Sequence, residues 1–543
     1  MGKRWLLLVM NVWLFLPGIY ARQTNGDIPH LRRQGKSAQM IVHDRPFLML
    51  GGELGNSSAS SLAYMQPIWP KLQQLHVNTL LTPVYWELME PEEGHFDFSL
   101  TDSLIQSARQ HNIKLVLLWF GSWKNSMSCY APAWVKKNTQ RFPRAKNEQG
   151  KSEEILSAFD QRNLEADQRA FTALLQHIRE TDSREQTVIM IQVENEIGML
   201  PNAREHTTEA NALFKQDVPA ELLRYLQQHK QELVPELKAR WDAQHSPSKG
   251  NWEAVFGKGL STEEIFQAWH YARYANAVAE AGKKAYPLPM YVNAALPRPG
   301  KLPGEYPSAG PLPHLMDIWQ AAAKAIVVLS PDFYNPDFKY WNDLYTRQHN
   351  PLFIPEIRFE PADAAKVFYA IGHYGAMGFS PFSIESTDKP EEEPIAKSYN
   401  ILQQLSPLIL EHQGSGQMEG VLLDKRTGPQ EWKSAAYTLK ISHDYSLGWS
   451  PAAKDTSWPQ TGGIIIQTGE DEYIVAGTGL VVTFSVSDKS DIAGILQADE
   501  GIYVEGKWQP GRRMNGDQDH QGRHIRIPVG EWGIQRVKLY RYK

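Results

Sequence analysis

Through most of the chain, short apolar runs rich in β-branched residues alternate with stretches in which apolar residues return every third or fourth position. The runs read as strands at 47–52, 77–86, 114–120, 187–195, 289–295, 325–330, 351–357 and 377–385. Between them MQPIWPKLQQLH, FSLTDSLIQSARQHN and LEADQRAFTALLQHIRE carry helical periodicity. Eight strands separated by helices predict an α/β fold, a (β/α)8 TIM-type barrel. SAQMIVHDRPFLMLGGE reads as a hairpin turning at His43 to Arg45, its second strand running to Glu53. The longest interruption, about 199–286, separates strands four and five and has helical patterns of its own. An insertion after a strand's carboxyl end falls on the face where barrels keep their sites, so it is expected to wall or cover a pocket. Near residue 413 the period shortens: GGIIIQTG, DEYIVAGTGLVVTFSV and WGIQRVKLYRY alternate like strands of an all-β sandwich. The expected domains are a leader at 1–21, the barrel at 22–413 and the sandwich at 414–543.

Composition adds boundaries. The chain has 543 residues, 42% hydrophobic and 22% charged, too long for one small core. A formal net charge of -5 supplies no basic field for a phosphate backbone, so no nucleic acid partner is expected. MGKRWLLLVMNVWLFLPGIYA opens basic, turns apolar and ends on a small residue, the pattern of a secretory signal. Pro17 and Gly18 interrupt the apolar run before the roughly 20 residues that would span a bilayer, so no membrane attachment is expected after cleavage. The expected location is exported, periplasmic or secreted. Cys129 is the single cysteine, so no intramolecular disulfide forms and stability rests on the core. Seventeen Trp and 22 Tyr favour a carbohydrate surface, because aromatic rings stack on the apolar faces of sugars.

Chemistry is sought at the carboxyl ends of the barrel strands. Strand four ends in QVENE, and strand seven, PLFIPEIRF, carries Glu356 after an apolar run. Those strands face each other across a barrel mouth, and two carboxylates there suit glycosidic bond hydrolysis, one as acid and the other at the anomeric carbon. Alternation along an extended strand places Glu196 nearest the mouth as the acid/base and Glu194 deeper, in a hydrogen-bonding role. Asn293 and Glu53 lie at the ends of strands five and one as pocket candidates, with Glu385 at strand eight. Trp252, in the insertion, is a weaker candidate for an outer sugar subsite. The histidines have no metal-ligand spacing and RRQGKSA lacks the first glycine of a phosphate loop, so neither metal nor cofactor is expected.

VNTLLTPVYWELMEPEEGHFDFSLTDSL resembles the second-strand signature of glycoside hydrolase family 35, the β-galactosidases, through Asn78, Thr79, Trp86, Glu90, Pro91, Gly94, Phe96, Asp97 and Phe98. QVENEIG is similar to the Q-x-E-N-E-Y-G of that family, although Asn-Glu at the end of strand four marks a whole clan of barrel glycosidases. The resemblance implies Glu196 as acid/base, Glu356 as nucleophile, Asn195 as a ligand of the sugar 2-hydroxyl, and Tyr334 as hydrogen-bond donor to the nucleophile. Trp86, Tyr85 and Trp123 fall among the positions expected to meet substrate. The chain departs from the family at strand one, which reads GGELGNSS, at Pro83, at WFGSWKN, which has Asn125 but no glutamate, and at PEIRFEPAD, which lacks the strand-seven tryptophans.

The resulting expectation is an exo-acting, retaining hydrolase that releases terminal β-galactose from plant-type oligosaccharides or polysaccharide side chains, such as galactosylated xyloglucan or galactan fragments. Two rivals stay open: a clan-related β-glycosidase of other sugar specificity, and a non-catalytic carbohydrate-binding protein. Homo-oligomerisation is left open.

Overall fold

The structure is a computed structural model that describes residues 28–434, 436–486 and 491–543, so the leader expected at 1–21 lies outside the described residues. Eight parallel strands close into a barrel in chain order: β1 (Met49–Glu53), β2 (Thr79–Tyr85), β3 (Lys114–Phe120), β4 (Val188–Gln192), β5 (Met290–Ala295), β6 (Val328–Phe333), β7 (Ile354–Ile357) and β8 (Gly378–Pro381). Nearly every residue of these strands is buried, which is why they read as continuous apolar runs rather than alternating ones. Trp86, Trp119 and Phe171 pack where β2, β3 and helix α1 (Gln161–Asp182) meet.

Several boundaries differ from the sequence reading; strand eight stops at Pro381, short of Glu385, and three further differences bear on the fold and the site. The amino-terminal hairpin does not run to Glu53. It pairs Ser37–Val42 with Arg45–Phe47 across left-handed His43 and Asp44, and the barrel strand starts afresh at Met49. Strand six is displaced toward the carboxyl end, because it continues through Pro331 to Phe333 while its first apolar residues precede it. Strand four stops at Gln192, and Glu194 and Glu196 then take left-handed φ values of 62° and 45°. The residues after Gln192 are therefore a turn, where simple alternation no longer applies.

The insertion after β4 is helical, from Thr208–Phe214 through Ala220–Gln228, Pro235–Ala243 and Trp252–Phe256 to the long helix α2 (Leu260–Ala285), which lies against α1. Trp252 is buried against Phe256 and Phe266, so it packs the insertion rather than lining a subsite.

Helices α3 (Phe338–Tyr345), α4 (Asp363–Tyr374) and α5 (Pro394–His412) follow β6, β7 and β8, and beyond α5 the chain forms a six-stranded and a four-stranded antiparallel sheet. Alternation sorts the side chains of the larger sheet. Val421, Ile465, Tyr473 and Val475 fill the space between the two sheets, whereas Leu422, Ile464, Ile466, Ile474 and Ala476 join the core of the barrel. Three consecutive isoleucines are thus buried because both faces of the sheet are covered, each burial contributing about 1.5–3 kcal/mol. The contact face is helix α4 (Asp363–Tyr374). A Cβ on Gly372 would lie 2.6 Å from the backbone of Gly420, and one on Gly462 would lie 2.6 Å from the carbonyl of Ala365. Glycine permits that backbone approach, and Trp532 Nε1 donates to Ser398 Oγ at 3.0 Å beside it.

Glu205, at the entry to the insertion, is wholly buried; one oxygen accepts from Ser157 and Thr207 and the other has no partner among the described residues. Burial pushes its carboxyl up to about 8 from 4.5. An unfolded chain releases this proton near pH 4.5 while the native protein holds it to about pH 8, so this group's contribution to stability falls as pH rises through that window. Glu205→Gln should match the parent near pH 4.5 and exceed it by on the order of 1–3 kcal/mol at pH 8 in urea denaturation. An offset that does not change with pH would show that this proton is not taken up on folding.

Candidate active site

The mouth of the barrel gathers acids from four of its strands. Glu53 ends β1, Glu196 follows β4, Asp332 lies on β6 and Glu356 on β7, and all are buried. Carboxylate oxygens of Glu196, Asp332 and Glu356 lie within 4.8 Å of one another. The same three are near enough to share a cation, but each already accepts a hydrogen bond, from Asn125, Asn293 and Tyr334 respectively.

Local turns aim these groups. The loop after β3 and the turn after β4 meet at a bridge between Lys124 and Asn195, and Asn125 and Ser126 also have left-handed φ values, 54° and 58°. Held that way, Asn125 donates to the Glu196 carboxylate and Ser126 Oγ donates to its carbonyl at 2.6 Å. Asn293 accepts from the Glu196 amide at 2.9 Å and donates to Asp332 at 2.6 Å, so Asp332 fixes the residue that fixes Glu196. Non-glycine residues in left-handed conformations at one locus are strain that the surrounding bonds must hold.

Lys124 is 4% exposed, donates to Asn195 Oδ1 at 2.8 Å and sits 5.0 Å from the centroid of the Phe120 ring. Four buried carboxylates cannot all ionise beside one ammonium, and the acids divide accordingly. Burial, reinforced by Glu356, drives Glu53 well above the usual carboxylate range. Burial and then the charges of Glu356, Glu196 and Glu53 do the same to Asp332. Glu356 is pushed up to about 7 by burial and by Glu196, while Lys124 and the Tyr334 hydrogen bond pull it down. Those two groups keep its anion accessible near neutral pH.

The other expected positions divide. Glu194 is outside this cluster: it accepts from the Trp123 amide at 2.9 Å, and burial and then nearby Asp167 raise its pKa. Asn195 has an amide nitrogen that is buried and without a partner among the described residues, next to the acid pair. Tyr334 is 43% exposed, and its hydroxyl donates to Glu356. Trp86 is not at the mouth; it is a core residue whose Nε1 is taken by Glu90 at 2.8 Å. Tyr85 is buried, its hydroxyl donating to the Asn56 carbonyl at 2.7 Å, and Trp123 is buried against Tyr271 and Tyr274. Glu385 binds the Gly55 amide and the Ser58 hydroxyl, and so braces the loop after β1. Sequence reasoning missed Lys124 and Asp332. The available signal for Asp332 was Tyr334 two residues on, and for Lys124 a lysine inside an aromatic loop.

The chain matches two family profiles. Residues 63–277 match Glyco_hydro_42, described as Beta-galactosidase, and residues 395–526 match DUF5597, a domain of unknown function. A Beta-galactosidase from Xanthomonas manihotis is 25% identical over 215 residues, 38% of this chain and 32% of that protein. The chain thus aligns with about a third of that curated relative's length. Among solved structures, a catalytic mutant of a glycoside hydrolase family 42 beta-galactosidase from G. stearothermophilus superposes with TM-score 0.51 at 10% identity, covering 91% of this chain and 98% of that one, a likeness of fold. A beta-galactosidase from the psychrophilic Marinomonas ef1 gives TM-score 0.46 at 12% identity over 68% of this chain and 62% of that one. The profile match corrects the resemblance to family 35: the profile that spans the second-strand block and Glu194 to Glu196 is that of family 42. The misreading has a physical source, since Asn-Glu at the end of strand four is shared across barrel glycosidases while strands one and seven had already departed from the family 35 pattern.

Tyr334→Phe removes the one hydrogen bond that favours the Glu356 anion from that side. Isotope-edited infrared titration should show the Glu356 carboxyl rising above its parent value by about half to one unit. A value unchanged or lowered would mean that Tyr334 does not stabilise the charged form.

Proposed function

We propose that the protein is a retaining, exo-acting β-galactosidase that removes terminal β-galactose from plant-type oligosaccharides or side chains, galactosylated xyloglucan and galactan fragments being the class to try first. The observation that carries this reading is the approach of the Glu196 and Glu356 oxygens to within 4.8 Å at a barrel mouth. Retaining glycosidases hold their carboxyl groups about 5–5.5 Å apart, and inverting ones about 6.5–9.5 Å apart to admit a water. The family 42 profile, described as Beta-galactosidase, supports the sugar.

In this mechanism Glu356 attacks the anomeric carbon as the anion, and the bond to the aglycone breaks. Glu196 gives its proton to the departing oxygen, then takes one from the water that releases galactose and restores Glu356. Lys124 and Tyr334 favour the Glu356 anion before attack. Asn195, with its free amide hydrogens, is assigned to the 2-hydroxyl, where a bond strengthens as the ring flattens. Asp332 acts through Asn293, a positioning residue for Glu196. Export fits this reading, since polymeric plant glycans are met outside the cell, and the basic and then apolar start of the chain supplies the leader.

With an aryl β-galactoside, the first product detected by proton NMR should be the β-anomer of galactose. Glu196→Ala and Glu356→Ala should each lower kcat by roughly 10²- to 10⁴-fold or more. Azide should restore turnover, giving the β-galactosyl azide with Glu196→Ala and the α-galactosyl azide with Glu356→Ala. Release of the α-anomer would end the retaining mechanism. Cleavage of a β-glucoside or α-arabinoside in preference to every β-galactoside would move the sugar assignment to the clan-related alternative.

A further inference from the structure

Beside the catalytic pair lies a second cleft, of about 430 Å³, at the carboxyl ends of β6 and β7. Tyr334 belongs to both, because its hydroxyl binds Glu356 and its side chain also lines the cleft. Among the other lining residues, Asn335, Arg358, Glu360 and Lys366 of the barrel and Gln460 of the β domain are the polar ones, and the remainder are apolar or proline. The volume falls in the range of small-ligand sites, about 300–1,000 Å³.

The polar groups in the cleft are unequally committed. Lys366 is spent on Glu360 at 2.5 Å and Asp363 at 3.3 Å, so its ammonium is already shared between two carboxyl groups. Arg358 has no carboxylate partner among the described residues; its guanidinium lies 5.6 Å from the centroid of the Tyr334 ring. Gln460 is exposed, and its side-chain amide has no hydrogen bond among the described residues. It ends the long connection that leads into strand Thr461–Gly469, so the β domain delivers it to the barrel mouth. A planar fork of donors, a free amide and an aromatic wall are what a hydroxyl-bearing ring needs, and neither the Arg358 guanidinium nor the Gln460 amide is held by a side-chain hydrogen bond among the described residues.

We propose that this cleft is the aglycone subsite, which takes the sugar next to the galactose being removed and is completed by Gln460 of the β domain. The proposal rests on the glycosidase reading given above. An exo-acting pocket admits one terminal residue, so a polar cleft that shares a wall with the nucleophile is the place for the remainder of the chain. Arg358 and Gln460 then donate to hydroxyls of that sugar, and the β domain sets preference among linkages while the barrel performs the chemistry.

The test compares kcat/KM for nitrophenyl β-galactoside, which has no second sugar, with that for a trisaccharide bearing terminal β-galactose, using the full chain. Gln460→Ala should lower the ratio of trisaccharide to aryl activity about 3- to 10-fold, and Arg358→Ala about 10- to 100-fold, the difference between losing a neutral and a charge-assisted hydrogen bond. Gln460→Trp, which fills the cleft without disturbing the barrel core, should lower it at least as much as Gln460→Ala. A ratio that stays at the parent value in all three variants overturns the subsite even though the parent is active. A parent that cleaves neither substrate overturns the glycosidase reading, and the subsite falls with it.

Discussion

Everything at the barrel mouth is constrained by the repulsion among buried carboxyl groups that share one ammonium. Glu53, Glu196, Asp332 and Glu356 converge from separate strands, and Lys124 is the cation set among them. Such a group exists only if protons are distributed unevenly, and burial does most of the distributing, with neighbouring charges and one hydrogen bond adjusting it. Tyr334 and Lys124 favour charge on Glu356, while burial pushes Asp332 and Glu53, with an oxygen each that has no partner among the described residues, toward the neutral form. The left-handed turns at Asn125, Ser126, Glu194 and Glu196 are the backbone counterpart of this arrangement, since regular strand ends would aim the side chains elsewhere.

How far this was legible in the sequence follows from where the forces act. Strands covered on both faces announce themselves as apolar runs, so the barrel could be read, and a carboxylate closing such a run stands out, as Glu196 and Glu356 do. Asp332 did not stand out because Pro331 precedes it, and a proline without an N–H reads as the end of a strand, although β6 continues through it. Lys124 looks like an ordinary exposed lysine until the loops after β3 and β4 are seen to meet. Trp86 misled in the opposite direction: its motif suggested a sugar contact, yet composition cannot distinguish a ring that stacks on a ligand from one that fills a core beside Trp119 and Trp134. The family assignment failed for a related reason, since the residues the chemistry demands are the ones that related barrels share.

The β domain extends the same logic outward. Its larger sheet is apolar on both sides, so it is half the interior of a sandwich and half an outer layer of the barrel. Helix α4, which follows the Glu356 strand, is the surface against which that sheet lies. The position of the strand that carries Glu356 and the position of the β domain are therefore mechanically related through one helix.

The backbone contact of Gly372 with Gly420 carries a consequence for how such chains diversify. Two domains joined by a flexible tether can be exchanged freely, but a seam at which main chains touch has no room for the drift of side chains that exchange brings. The carboxyl-terminal region that matches a domain of unknown function begins at residue 395, within helix α5, before the last barrel helix is complete. A change at either surface of that seam has to be met by one at the other, and the smaller partner is best understood as an organ of the larger one rather than as a passenger.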